Sequence, residues 1–206
     1  MDMRDAISKQ NSQLAFEPEV EFADRLRASE KFVVSGMGGS HLAADILTCW
    51  NPLIDIIVHA DYGLPPLKPE HIGRRLFIAS SYSGNTEEVL DGFTVALSRA
   101  MPACAISTGG KLLDMAEQEK IPYIKMPNLG IQPRSALGFN LKALLKMIGE
   151  SQASSELRLL ADSLLPSSFE HAGKKLSKRL FGRVPLMYAS ARNHAIVYNW
   201  KIKCNE

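Results

Sequence analysis

The sequence predicts an α/β fold in which a five-stranded, mainly parallel sheet lies between helical layers. Three observations predict it. Short apolar runs alternate with helix-patterned segments from about residue 31 to 150. Runs such as Phe32–Val33–Val34 and Leu76–Phe77–Ile78–Ala79 lack alternating polar positions, as strands covered on both faces do. Two of these runs pass directly into Gly- and Ser-rich turns that open helices, at Gly36–Ser40 and Ser81–Thr86. Right-handed crossovers place the loops after parallel strands along one sheet edge. Open α/β sheets bind ligands at that edge.

Each element follows from the pattern. Residues 13–30 carry Leu14, Phe16, Val20, Phe22 and Leu26 among charges and predict a helix. Strands are predicted at Lys31–Ser35, Ile54–Val58, Leu76–Ser80, Ala103–Ser107 and Tyr123–Lys125. Helices are predicted at His41–Trp50, Thr86–Arg99, Lys111–Glu119 and 133–149, the last opened by Pro133 in a first-turn position. Ser151–Ser155 reads as a polar link. Two helices then follow over 155–165 and 168–181, separated by Pro166. Val184–Ser190 predicts a strand and Asn193–Glu206 a helix. The expected organisation is an N-terminal helical segment (1–30), an α/β domain (31–150), a helical linker (151–183) and the start of a second, incomplete α/β domain (184–206). One strand and one helix bury too little for a core of their own, so the chain reads as C-terminally truncated.

The totals exclude several classes. A net charge of +2, with Lys and Arg dispersed, argues against a nucleic-acid platform. No run of about 18 apolar residues exists to span a membrane. Asp2, Arg4, Asp5 and Lys9 do not fit a signal peptide. Cys49, Cys104 and Cys204 stand far apart, and the histidines have no ligand spacing. No metal, no cofactor and no membrane or nucleic-acid partner is expected, and the default location is the cytoplasm.

The turn Ser81–Tyr82–Ser83–Gly84–Asn85–Thr86 carries the chemistry. The first four N–H groups of a helix lack internal partners, and the helix dipole adds partial positive charge there. Three hydroxyls beside such a helix start form a cradle for phosphate. The same residues also make ordinary turns and N-caps. Gly36–Met37–Gly38 begins a dinucleotide-binding string, with Asp61 near the ribose-binding place, but His41 stands where the third glycine packs helix against sheet.

Gly38–Gly39–Ser40, Ser81–Glu88 and Gln132–Pro133–Arg134–Ser135–Ala136–Leu137–Gly138 together resemble the sugar isomerase (SIS) fold, a three-layer sandwich. More narrowly, they resemble the bifunctional phosphoglucose/phosphomannose isomerases. The tail Tyr198–Glu206 is similar to the helix of that family that bears its catalytic glutamate in an Asn-Glu pair. The resemblance implies an aldose–ketose isomerase working through a cis-enediolate on glucose 6-phosphate, mannose 6-phosphate and fructose 6-phosphate. It implies phosphate binding by Gly39, Ser40, Ser81, Ser83 and Thr86, charge stabilisation by Arg134, proton transfer by Glu206 and a homodimer. The family's ring-opening histidine and a further lysine lie beyond the glutamate and have no counterpart here. His41 and His194 match no motif and receive no role. The competing class is a non-catalytic sugar-phosphate-binding SIS module, which keeps the hydroxyl cradle but has no use for Arg134 and Glu206.

Overall fold

A computed structural model describes residues 2–204. Its centre is a parallel sheet of β1 (Lys31–Ser35), β2 (Asp55–His59), β3 (Leu76–Ser81), β4 (Ala103–Ser107) and β5 (Tyr123–Lys125), in the order β2-β1-β3-β4-β5. The chain runs outward from β1 to β2, then returns to the far side of β1 to lay down β3. This reversal makes the gap between the C-terminal ends of β1 and β3 a topological switch point.

Alternate strand residues fill two cores. Phe32, Val34, Ile78, Cys104 and Ile106 pack with α2 (Leu42–Trp50) and α6 (Leu137–Ile148), through Ala43, Ala44, Leu47, Leu144 and Leu145. Val33, Phe77, Ala79 and Ala105 pack with α4 (Glu87–Ser98) and α5 (Gly110–Gln118), through Val89, Phe93, Leu112 and Ala116. These are the two covered faces that the unbroken apolar strands require. Burying each large apolar side chain contributes about 1.5–3 kcal/mol, so both layers are held mainly by the strands they cover.

The N-terminal segment departs from expectation. Helix α1 spans Met3–Ser8, a 3₁₀ helix follows at Gln10–Ala15, and residues 16–22 run without helix. Pro18 disfavours helical backbone at Glu17. Phe16, Val20 and Leu26 still pack on the core. Glu21 and Tyr123 exchange backbone hydrogen bonds of 2.9 and 3.2 Å, which closes the free edge of β5.

The single helix expected at 133–149 is a 3₁₀ turn at Pro133–Ser135 followed by α6. Gly149, at φ +83°, ends α6. Helix α7 (Ser151–Ser163) then begins at once, so Ser151–Ser155 is helical and not a link; Ala153 and Ala161 are its buried face. Lys142 is fully buried on α6 and donates to Glu17 at 3.2 Å and to the Ser154 carbonyl at 3.0 Å, which ties the N-terminal segment to α7. Helix α3 (Pro69–Ile72) is a single turn before β3, and α8 (Glu170–Leu180) has no buried residue. Residues 184–190 form no strand: Val184, Leu186 and Tyr188 are exposed, and no described strand pairs with them. A strand without a neighbour leaves its backbone groups to water. Helix α9 (His194–Cys204) follows and lies on α2. Among the described residues, no helix is long and apolar enough to cross a membrane.

Candidate active site

Three loops meet at the switch point. The loop after β1 turns through Gly38, at φ +53°, into a short 3₁₀ turn, Gly38–Ser40. The loop after β3 turns through Gly84, at φ +71°, and ends at Thr86, the residue before α4. A Cβ on Gly84 would run into the Gly109 carbonyl, so only glycine suits both the dihedral and the space. The third loop is Gln132–Ala136. Gly39 lies directly against it: a Cβ there would stand 2.7 Å from the Arg134 amide nitrogen.

Buried polar groups stitch the loops together. The Tyr82 N–H donates to Ser40 Oγ at 3.1 Å. The Ser40 carbonyl accepts from Ser80 Oγ at 2.9 Å and from Asn140 Nδ2 at 2.8 Å. Gln13, buried beneath the third loop, donates to the Ser135 carbonyl at 2.7 Å and accepts from the Gly138 N–H at 3.0 Å. Gly138 leaves room for it, since a Cβ there would stand 2.6 Å from Gln13 Cβ.

The loops enclose a cavity of about 440 Å³. Met37, Gly38, Gly39 and Ser40 form one wall, Tyr82, Ser83 and Thr86 a second, and Gln132, Pro133 and Arg134 a third. Tyr198 and Ile202, one helical turn apart on α9, close the fourth side. A depression of about 520 Å³ at the opposite sheet edge, beside Lys31, Arg74 and Arg75, lies far from this chemistry, and its Arg75 is already paired with Asp55 at 2.8 Å.

The cavity wall offers hydrogen-bond donors. Ser40 Oγ accepts from Tyr82, and Ser83 Oγ accepts from the Asn85 N–H at 3.2 Å. Among the described residues neither hydroxyl donates, so each uses a lone pair inward and has its O–H for the cavity. Ser81 Oγ accepts from the Gly84 N–H at 3.1 Å and lies 2.8 Å from Thr86 Oγ1. When Ser81 donates in that pair, Thr86 keeps its own O–H for the cavity. Thr86 spends no side-chain bond on capping α4, so the first-turn amides of a 12-residue helix add to the positive end. The result is a ring of donors suited to an oxyanion.

Arg134 brings the fixed charge. Its residue is only 7% exposed, yet it lines the cavity. Its field reaches α9: crowding by surrounding protein, and then the Arg134 cation, hold the Lys203 ammonium below its usual range, although the Lys203 side chain as a whole is exposed.

Gly39, Ser40, Ser83, Thr86 and Arg134 thus line one cavity. Ser81 sits behind the wall, where it orients Thr86 and Gly84. Glu206 lies outside the described residues. Tyr198 and Gln132 in the wall, and Asn140, Ser80 and Gln13 behind it, have no assigned role in the sequence reading. Gln132 and Tyr198 had a signal, Gln132 in its place beside Pro133–Arg134 and Tyr198 at the head of the Tyr198–Glu206 tail. Among the described residues, no group of three or more His, Cys, Asp or Glu is placed to hold a metal ion.

A five-stranded parallel sheet in the order β2-β1-β3-β4-β5, with a donor-lined, arginine-bearing cavity at its switch point, is an arrangement of the SIS type. No protein-family model matches the chain. Single proteins do. The chain is 31% identical over 192 residues to the bifunctional phosphoglucose/phosphomannose isomerase of Aquifex aeolicus, which covers 90% of this chain and 58% of that protein. It is 33% identical over 190 residues to the protein of the same name from Caldicellulosiruptor bescii, with 84% and 55% covered. It superposes on tagatose-6-phosphate ketose/aldose isomerase from Escherichia coli with a TM-score of 0.58 and 17% identity, over 95% of this chain and 59% of that one, a likeness of fold. Over most of its length the chain is similar to the bifunctional phosphoglucose/phosphomannose isomerases. It spans little more than half the length of these curated relatives.

Proposed function

We propose that the protein interconverts glucose 6-phosphate, mannose 6-phosphate or both with fructose 6-phosphate. The observation that carries this reading is the meeting of a donor ring and a buried arginine in one cavity of about 440 Å³, supported by the names of its relatives.

The donor ring holds the phosphate. Ser40, Ser83 and Thr86 donate O–H groups, backbone N–H groups at Gly39 and the start of α4 add to them, and Ser81 fixes Thr86. Hydrogen bonds to a charged group contribute about 1.5–3 kcal/mol each, so a few of them anchor a small ester. The sugar then extends toward Arg134. Aldose–ketose isomerisation removes the proton from C2, passes through a cis-enediolate and returns a proton to C1. Negative charge develops on the O1/O2 edge. A planar cation that is already oriented stabilises it without reorganising. Glu206 is the proposed base, a carboxylate that takes the proton from one carbon and delivers it to the other. In this reading the protein acts in the cytoplasm as a homodimer.

Isomerisation of fructose 6-phosphate in D2O tests the reading. An enediolate whose base exchanges its proton with solvent places deuterium at C2 of part of the aldose product, and Arg134→Ala lowers turnover by at least about a hundredfold, the scale of one lost charge-stabilising donor. Turnover that Arg134→Ala leaves within a few-fold of the parent refutes charge stabilisation by Arg134. Saturable binding of fructose 6-phosphate with no turnover in a protein extended to the length of the isomerases it matches assigns it to the non-catalytic binding modules instead. Ser83→Ala raises KM more than it lowers kcat if its role is anchoring; the reverse split removes that role.

A further inference from the structure

The fourth wall of the cavity is built differently from the other three. It comes from α9, and a chain of contacts outside the phosphate loops fixes it. His41 directly follows Ser40 and is only 8% exposed. Its Nδ1 lies 2.7 Å from Asp45 Oδ2, one turn along α2. With a carboxylate accepting, Nδ1 carries the proton and the plane of the ring is set. That plane lies nearly parallel to Tyr198, with ring centroids 5.4 Å apart at 25°. His194, one turn earlier on α9, also lies nearly parallel to Tyr198, at 6.0 Å and 17°. Tyr198 lines the cavity; His41 does not.

We propose that Asp45, His41 and Tyr198 act as one positioning relay that sets the sugar-facing wall: Asp45 orients His41, the His41 ring seats Tyr198, and Tyr198 fits the carbon skeleton of the bound hexose phosphate. The inference rests on the cavity being the sugar-phosphate site. It goes beyond that reading because it divides recognition into two parts. The phosphate is held by loops that belong to β1, β3 and the Gln132–Ala136 segment. The hexose is bounded by a helix whose Tyr198 stacks on His41, the residue after Ser40. Stacked aromatic pairs contribute on a scale that corresponds to roughly two- to tenfold in an equilibrium constant. Loss of the stack is therefore felt as weaker sugar binding, while the phosphate loops remain intact.

The test compares two ligands, fructose 6-phosphate and inorganic phosphate, on the parent protein and on His41→Ala, His41→Phe and Asp45→Asn, with dissociation constants from calorimetry. His41→Ala is expected to weaken fructose 6-phosphate by about three- to tenfold and to leave inorganic phosphate within twofold. His41→Phe, which keeps a flat ring for Tyr198, is expected to restore most of the loss. Asp45→Asn is expected to fall between the two. A general loosening of the fold would weaken both ligands together and would not be rescued by a flat ring. Unchanged fructose 6-phosphate binding in His41→Ala, an equal loss of both ligands, or no rescue by His41→Phe overturns the relay.

Hydrogen exchange of α9 amides separates this inference from the proposed function. If the parent protein binds no fructose 6-phosphate, the functional reading fails. The relay then stands or falls on whether His41→Ala speeds exchange in α9 by about three- to tenfold while His41→Phe does not. Equal exchange in all three proteins overturns it.

Discussion

Asn140→Ala is the sharpest probe of how the fold holds the site. Asn140 is 5% exposed, and its Nδ2 donates to the Ser40 carbonyl at 2.8 Å and to Ser80 Oγ at 3.1 Å. Alanine removes both bonds. Each is worth about 0.5–1.5 kcal/mol net, so the loss is about 1–3 kcal/mol. It does not reach the full desolvation penalty, because Ser80 Oγ still donates to the same carbonyl at 2.9 Å. For a chain of this size, the corresponding fall in Tm is roughly 2–12 °C. Urea unfolding with an unchanged m-value measures it.

Asn140→Asp sharpens the test. It sets a carboxylate oxygen against the Ser40 carbonyl, so the charged form is penalised in the folded state and the folded pKa of the introduced carboxyl rises. The penalty is absent below the unfolded carboxyl pKa and grows as pH rises toward the folded value. The aspartate variant is thus less stable than the alanine variant at pH 7 and recovers on acidification. A loss below about 0.5 kcal/mol for Asn140→Ala, or an aspartate variant as stable as the alanine one at pH 7, refutes the reasoning.

Three further outcomes follow from the same geometry. Gly84→Ala combines a positive φ with a Cβ that meets the Gly109 carbonyl, and costs at least about 2 kcal/mol; a neutral urea midpoint removes the close approach. The Arg75 guanidinium, first by its hydrogen bonds and then by its charge, holds Asp55 below the usual carboxylate range, against the opposing pull of burial. A depressed pKa gives stability that is present above the unfolded value and lost as pH falls through the folded one. Asp55 is 41% exposed, so after screening the effect is under about 1 kcal/mol, and Asp55→Asn flattens the acid limb of a stability-versus-pH curve. Burial at 0% exposure pushes the Cys104 thiol pKa strongly up, so Cys204 and Cys49 react with a thiol reagent in the native protein and Cys104 reacts only on unfolding; labelling of Cys104 at the rate of Cys204 contradicts the buried β4.

The sheet was legible because its strands bury both faces, and an apolar run of five or six residues between turn signals has few other uses. Ala103–Ser107 and Tyr123–Lys125 are found where the pattern puts them. Patterning failed where chain partners decide conformation. The apolar residues of 13–30 do reach the core, but Pro18 and the bridge to Tyr123 hold the chain extended. Val184–Ser190 has the composition of a strand and, among the described residues, no strand beside it. Composition reports that a segment suits a sheet, whereas pairing decides whether it forms one.

The site divides along the same line. Gly39, Ser40, Ser83, Thr86 and Arg134 lie in short local motifs whose chemistry is visible within a few residues. Asn140 and Gln13 look like ordinary polar positions in or near helices, because their partners, Ser40 and Ser135, are remote in sequence. His41 has no motif at all; its meaning comes from a ring on α9. A loop that binds an anion is therefore readable from its own residues. The groups that hold three such loops in register have no local signature, because each is a solitary donor or ring answering a group far along the chain. Since buried, half-satisfied polar groups are costly, each motif rests on a buried polar side chain that answers it: Asn140 under Ser40, Gln13 under Ser135 and His41 against Tyr198.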